Sequence, residues 1–175
     1  MESIDFFGNS NNTNYYKGKN ILITGATGGI GSIVTESLVK LGANVVAISR
    51  SEKKIYDRLS AVAQKKNFDK EIINFENPNT INRGFQSIMK KFKGRIDGLV
   101  ITHAVFRVGK LMETNIDNFD TTLNVNVRSI FHLISMASPF LKLSKGNVVL
   151  VSSLESFIPV SESFLNSLSK VSLNY

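Results

Sequence analysis

Ile21-Leu-Ile-Thr-Gly-Ala-Thr-Gly-Gly-Ile-Gly31 is the stretch that decides the fold of this chain. An apolar run, Ile21 to Ile23, enters a turn carrying Gly25, Gly28, Gly29 and Gly31, and an amphipathic segment over 32–41 follows at once. A strand, a glycine turn and a helix start, in that order, aim backbone N–H groups and a positive helix end at a phosphate. Glycines collect in loops for steric reasons alone, so the flanking strand and helix carry the argument. The turn residues Gly25, Thr27, Gly28, Gly29, Ile30 and Gly31 are therefore the expected phosphate cradle.

Outward from this turn, apolar runs alternate with helical patterns. Strands are expected over 20–24, 44–49, 71–75, 98–102 and 147–151. Helices are expected over 32–41, 53–64, 80–92 (opened by Pro78), 118–141 and from 163 to 173. The strands are rich in Val, Ile and Leu on both faces, as a parallel sheet covered by helices on each side requires. Repeated β-α units with right-handed crossovers give an α/β fold, a doubly wound parallel sheet of Rossmann-like type. This domain is expected over 17–175, after a disordered polar tail over 1–16 that lacks the basic start and apolar stretch of a signal peptide. The last helical pattern is still running at Tyr175 with no Gly or Pro to close it. The expectation is a cut chain with its C-terminal strands missing.

Composition narrows the function. The 175 residues suffice for a single core. No apolar run approaches the ~18 residues needed to cross a bilayer, so no membrane span is expected and the cytoplasm is the expected location. Without cysteine there is no disulfide or thiolate chemistry, and His103 and His132 are too few imidazoles for a protein-held metal site. The net charge of +7 suggests a nucleic-acid partner. However, Lys53, Lys54, Lys65, Lys66, Lys90, Lys91 and Lys93 fall on polar faces of expected helices, with no aromatic residues interleaved. Solvated faces explain them, and no nucleic acid is expected.

The tip of the second strand selects the cofactor. An acidic side chain there would accept hydrogen bonds from an adenosine ribose, whereas a basic one would pair with a 2′-phosphate. The segment Val45-Val-Ala-Ile-Ser49-Arg50-Ser51 holds no Asp or Glu. Ser49 can donate a hydrogen bond and Arg50 can fork onto a phosphate, which favours NADP(H) over NAD(H). The plainer alternative is that Arg50 is one more solvent-facing residue of a basic chain.

From about Lys17 onward the chain resembles the short-chain dehydrogenase/reductase family. Thr24 to Gly31 matches the family's Thr-Gly-x-x-x-Gly-x-Gly pattern through Gly25, Gly29 and Gly31, and Arg95-Ile-Asp-Gly-Leu-Val100 looks like its approach to the fourth strand. Asn124-Val-Asn126-Val-Arg-Ser129 matches the segment with the active-site Asn, here Asn126. Gly146-Asn-Val-Val-Leu-Val-Ser-Ser153 matches the strand ending at the active-site Ser, here Ser153. The stretch 45–51 and the Ala104-Val105 pair are similar to the carbonyl and xylulose reductase branch. By the same resemblance, Asn74 and Phe75 lie beside the adenine, with Asn74 replacing the usual Asp, and Thr102 and Ala104 lie along the cofactor. The family's Asn-Asn-Ala-Gly strand end reads Ile101, Thr102, His103 and Ala104 here. Losing both Asn side chains is expected to remove hydrogen bonds that brace the central strand.

The second departure is at the family's Tyr-x-x-x-Lys motif. Thirteen residues after Ser153, where the resemblance expects Tyr, stands Asn166, and four further on is Lys170. A spacing of four puts both side chains on one helix face. Hydride transfer to a carbonyl generates an alkoxide that must be protonated as it forms, and a Tyr hydroxyl beside an ammonium can supply that proton. The amide of Asn166 can donate a hydrogen bond but cannot give up a proton near neutral pH. The resemblance thus implies an NADP(H)-binding protein, by ancestry a carbonyl or alcohol oxidoreductase acting on a small molecule and impaired in catalysis as written. The alternative is an inactive nucleotide-binding or dimerising module, or a subunit of a larger assembly. The family also implies a homo-oligomer paired through the helices after the fourth strand and around the Lys. The apolar row Ile130, Phe131, Leu133, Ile134 and Ala137 suits such a partner and equally suits packing on its own sheet.

Overall fold

The computed structural model describes residues 14–174. Of the tail expected over 1–16 only 14–16 are described, and Tyr175 also lies outside the described residues. Five strands, β1 (Asn20–Thr24), β2 (Asn44–Ser49), β3 (Phe68–Ile72), β4 (Gly98–Ile101) and β5 (Asn147–Leu150), pair throughout in parallel. Their order is β3-β2-β1-β4-β5. Six helices follow or separate them: α1 (Gly29–Lys40), α2 (Glu52–Leu59), α3 (Pro78–Lys91), α4 (Ile116–Leu123), α5 (Ser129–Ser144) and α6 (Phe164–Val171). The fold is the doubly wound Rossmann-like sheet that the sequence implies. β1 stands between β2 and β4, so the direction of winding reverses at β1, where such sheets open a crevice at their carboxyl ends.

Alternation along the strands divides the core in two. Ile21, Ile23, Val45 and Ala47 pack against Leu38 of α1 and Ile55 and Leu59 of α2. The intervening Leu22, Val46 and Ile48, with Leu99 and Ile101, face α3 and α5 through Ile81, Ile88, Ile130 and Leu133. Each Leu or Ile removed fully from water contributes about 1.5–3 kcal/mol, so these two layers fix the sheet's register. Helix starts are marked by side chains: Asn77 accepts from Asn79 N ahead of Pro78, and Asn115 accepts from Asn118 N.

Two expectations need correction. The third strand is Phe68–Ile72 rather than 71–75, because Val45 to Ser49 of β2 pair with Phe68 to Ile72. The apolar residues that suggested the later span, Ile73 and Phe75, are core side chains beyond the strand end. The helix expected over 118–141 is interrupted by a π-helical turn, Asn124–Arg128, between α4 and α5. Of the apolar row on α5, Ile130, Leu133 and Ala137 pack into the core, whereas Phe131 is 74% exposed. The sheet therefore accounts for most of that row without a partner.

The two edges of the sheet differ. β3 is guarded by charge: Lys91 pairs with Asp69 and Glu71, its Nζ also donates to the Lys70 carbonyl, and Lys70 pairs with Glu52. β5 carries no charged residue, and Val148 and Val149 are exposed. Beside β4 and β5, on the α1 side, runs a groove of about 660 Å³ lined by Ile30, Ile33, Val100 and Val149. The surface lysines 53, 54, 65, 66, 90, 91 and 93 are all exposed, as solvated faces require. Among the described residues no helix is long and apolar enough to cross a membrane, and no group of His, Asp and Glu could hold a metal.

Candidate functional site

The loop between β1 and α1 is shaped by what its glycines must avoid. Gly25 has φ +64°, and a Cβ there would lie 2.7 Å from His103 N. A Cβ on Gly31 would collide with the Gly25 carbonyl oxygen and sit 2.8 Å from Thr102 Oγ1. Gly29, by contrast, has nothing within 4 Å of where its Cβ would be, and it opens α1 with Gly28 as N-cap. Backbone N–H groups thus start a helix beneath an open approach, an arrangement suited to a phosphate.

Beyond this cradle lies a cavity of about 500 Å³ at the carboxyl ends of β1, β2 and β4, within the usual size of cofactor sites. Its wall includes Gly25, Thr27 and Gly28 from the turn, Ser49 and Arg50 from the end of β2, and Asn74 and Phe75 from beyond β3. Thr102 and Ala104 close it from the segment just past β4. Of the residues expected to hold the nucleotide, Gly29, Ile30 and Gly31 lie outside that wall. Gly31 is buried behind the turn, and Ile30 lines the groove on the other side of α1. Thr27 Oγ1 meets Ser49 Oγ at 3.1 Å, tying the turn to the end of β2. Arg50 is exposed at the mouth, with Lys54 of α2 one turn away. A dinucleotide fits a cavity with this set of groups.

The altered strand end does not leave the central strand unbraced, which corrects the expectation. Thr102 Oγ1 donates to the carbonyls of Thr24 and Gly25 at 2.8 and 3.3 Å. His103 is buried, with Nδ1 2.6 Å from Thr24 Oγ1 and Nε2 2.9 Å from Ser129 Oγ. Ser129 Oγ donates to the Val125 carbonyl, so the imidazole donates from Nε2 and accepts at Nδ1. Its ring stacks on Phe75 at 3.8 Å and 7°. Burial is the main cause that pushes its pKa down to about 3, with the charge of Lys170 a smaller contributor in the same direction. His103 is a neutral strut and supplies no acid at neutral pH.

The chemistry-bearing residues gather where the π-helical turn, the end of β5 and α6 meet. Asn126 is wholly buried. Its Oδ1 accepts from Val105 N at 2.8 Å, and its Nδ2 donates to Val105 O at 2.9 Å and Ser169 Oγ at 3.0 Å. Lys170 Nζ donates to the Val151 carbonyl at 2.7 Å, and burial lowers its pKa from the ordinary lysine value. Ser153 Oγ accepts from Glu155 N at 3.2 Å and caps the short 3-10 turn Leu154–Ser156. Asn166, 6% exposed, donates from Nδ2 to Glu155 Oε2 at 2.6 Å. Among the described residues no side-chain hydrogen bond joins Ser153, Asn166 and Lys170 to one another.

Glu155 is the residue that sequence reasoning missed. Its Oε2 also accepts from Ser163 Oγ at 2.9 Å and from Ser167 Oγ at 3.4 Å. The available signal was a lone carboxylate two residues after Ser153, with hydroxyl and amide side chains 8, 11 and 12 residues further on.

Comparison with known proteins matches this geometry to one family. A model of short chain dehydrogenases matches residues 19–174. A tropinone reductase homologue of Arabidopsis thaliana is 28% identical over 160 residues, covering 90% of this chain and 59% of the relative. The 3-oxoacyl-[acyl-carrier-protein] reductase of Thermotoga maritima is 31% identical over 141 residues, covering 79% of this chain and 56% of that protein. A short-chain dehydrogenase/reductase structure from Brucella melitensis superposes with a TM-score of 0.83 at 20% identity, over 90% of this chain and 66% of the other. The chain thus spans little more than half the length of the curated relatives named here.

Proposed function

Because this chain belongs to the short-chain dehydrogenase family, we propose that it binds NADP(H) and descends from a carbonyl or alcohol oxidoreductase whose proton-delivery step is impaired. The observation that carries the reading is the cavity at the switch point of the sheet, where the glycine turn faces Ser49, Arg50 and Lys54. A guanidinium and an ammonium beside a serine suit a 2′-phosphate, whereas a ribose 2′-hydroxyl would call for a carboxylate. When bound, the reduced cofactor would supply a hydride. The chain's own part is to hold the dinucleotide against the turn and to position a small carbonyl or alcohol substrate near Ser153 and Lys170.

Asn166 sets the limit. General acid help of the kind it cannot give is typically worth about 10²–10⁴-fold. Its amide is already committed to Glu155, which favours a second reading, a nucleotide-binding module without carbonyl reductase activity that acts as a homo-oligomer. Titration of the purified chain with NADPH and NADH, followed by nicotinamide fluorescence, tests the first step. Saturable binding with NADPH preferred by about tenfold or more is expected from a charge-assisted contact. Failure of both cofactors to bind, or equal binding, overturns the assignment.

A further inference from the structure

The groove beside β4 and β5 has no part in the cofactor reading and lies across α1 from the nucleotide cavity. Val100 and Val149 form its floor, and Ile30, Ile33 and Val34 of α1 form one wall. Ile33 is 66% exposed, and Ile30 and Val149 are exposed as well. On this face α1 and α2 pack over β1 and β2 through Leu38, Ile55 and Leu59, whereas Val149 on β5 is left to water. A contiguous apolar face with a polar rim marks a place where something docks.

The rim says what that is. Tyr15 and Tyr16 stand at one end of the groove, with their rings edge to face at 5.1 Å. Ahead of Asn14 the sequence reads Met1-Glu-Ser-Ile-Asp-Phe-Phe-Gly-Asn-Ser-Asn-Asn-Thr13. It holds one apolar island, Ile4, Phe6 and Phe7, followed by the polar spacer 8–13. At about 3.3 Å per extended residue this spacer reaches roughly 20 Å. The three strands beneath the groove, β1, β4 and β5, span only about 10 Å at the usual strand spacing.

Charge agrees with reach. The island carries Glu2 and Asp5 beside it, and the groove is lined by Lys19 and Lys145. Asp97, the one acidic residue of that lining among the described residues, is already paired with Arg95 and Lys19. Lys145 forms no ion pair among the described residues.

We propose that this groove is the docking site of the chain's own segment 4–7, with Phe6 and Phe7 as its apolar anchors and Glu2 and Asp5 meeting the two lysines. A tether this short holds the segment at an effective concentration of about a millimolar. A second copy of the chain at micromolar concentration is about a thousandfold more dilute, so an apolar contact of modest strength is filled from within first.

The chain contains no tryptophan, so a single introduced indole reports on the groove alone. Ile33→Trp is read by emission wavelength and acrylamide quenching, in the full chain and in one lacking residues 2–12. A tethered segment covers the groove half the time or more, so deletion should raise quenching about twofold or more and move emission to longer wavelength. Phe6→Ser combined with Phe7→Ser in the full chain should reproduce that change. Val149→Trp, on the floor of the groove, gives an independent reading if Ile33→Trp does not fold. Phe131→Trp, at an exposed position of α5 outside the groove, should not respond. Identical emission and quenching with and without residues 2–12 overturns the inference, as does a deletion effect that the double serine variant fails to reproduce. A response in Phe131→Trp, which signals general loosening, overturns it too. So does a cover that strengthens with protein concentration, because a second copy then fills the groove.

Discussion

Asn126 grips Val105 by both ends of its backbone: the side-chain oxygen accepts from Val105 N and the side-chain nitrogen donates to Val105 O. One amide thereby copies a pair of strand-to-strand bonds across the boundary between a helix and a loop. The π-helical turn Asn124–Arg128 brings this side chain to the backbone it holds, and such turns recur where a helix must present a functional group.

Asn126→Ala is therefore expected to cost about 2–3 kcal/mol, because several buried polar groups lose their partner at once. Urea unfolding monitored by circular dichroism measures it. A loss below about 0.5 kcal/mol, the ordinary scale of a surface substitution, would show that water takes over the bonds.

The glycines of the turn separate folding from binding. Gly31→Ala puts a methyl group against the Gly25 carbonyl and is expected to destabilise by about 1–3 kcal/mol. Gly29→Ala meets open space and improves a helix start, so its melting temperature should hold or rise slightly. Its NADPH affinity should nevertheless fall by about tenfold or more, because the methyl group stands where a phosphate approaches the backbone. Equal affinity in the two proteins would move the phosphate elsewhere.

Arg50→Ala should weaken NADPH binding by about tenfold, the scale of a lost charge-assisted bond, and leave NADH binding where it was. Paired fluorescence titrations read both. A parallel loss for the two cofactors would give Arg50 a structural role in place of a phosphate contact.

His103 makes a pH-dependent contribution with a definite sign. Burial holds it neutral in the folded chain down to about pH 3, whereas its ordinary pKa is 6.5. Between those values the unfolded chain binds a proton that the folded chain refuses, so stability is complete above pH 6.5 and falls as pH drops toward 3. Urea midpoints of the natural chain should drop more steeply over that window than those of His103→Asn. Parallel slopes would assign the acid sensitivity to other groups.

Most of the framework was legible in the sequence for plain reasons. β1 and β2 are central and buried on both faces, so their apolar runs coincide with the strands themselves. β3 is an edge strand reading Phe-Asp-Lys-Glu-Ile, and its charges hid it while the core residues Ile73 and Phe75 imitated a strand downstream. The π-helical turn left no trace because Asn-Val-Asn-Val-Arg contains neither Pro nor Gly, and a bond to a distant backbone accompanies it. In the candidate site, the spacing from Ser153 pointed to Asn166 and Lys170, and α6 holds these two one turn apart. Glu155 escaped because its partners come from a different element, and pairing across elements has no periodicity to detect. The strand-end change at Thr102 and His103 looked like a loss because new hydrogen-bond partners reach Thr24 by geometry that residue types alone do not reveal.

The unequal margins of the sheet give it a direction. Along the middle of β3, Asp69, Lys70 and Glu71 are all engaged in ion pairs, and Lys91 has occupied a backbone carbonyl that a newcomer would need. Along β5 the outer amides and carbonyls stand beside two bare valines. The array is open to lengthening on the β5 flank, so a sixth strand, whatever its origin, finds its berth there more readily than beside β3.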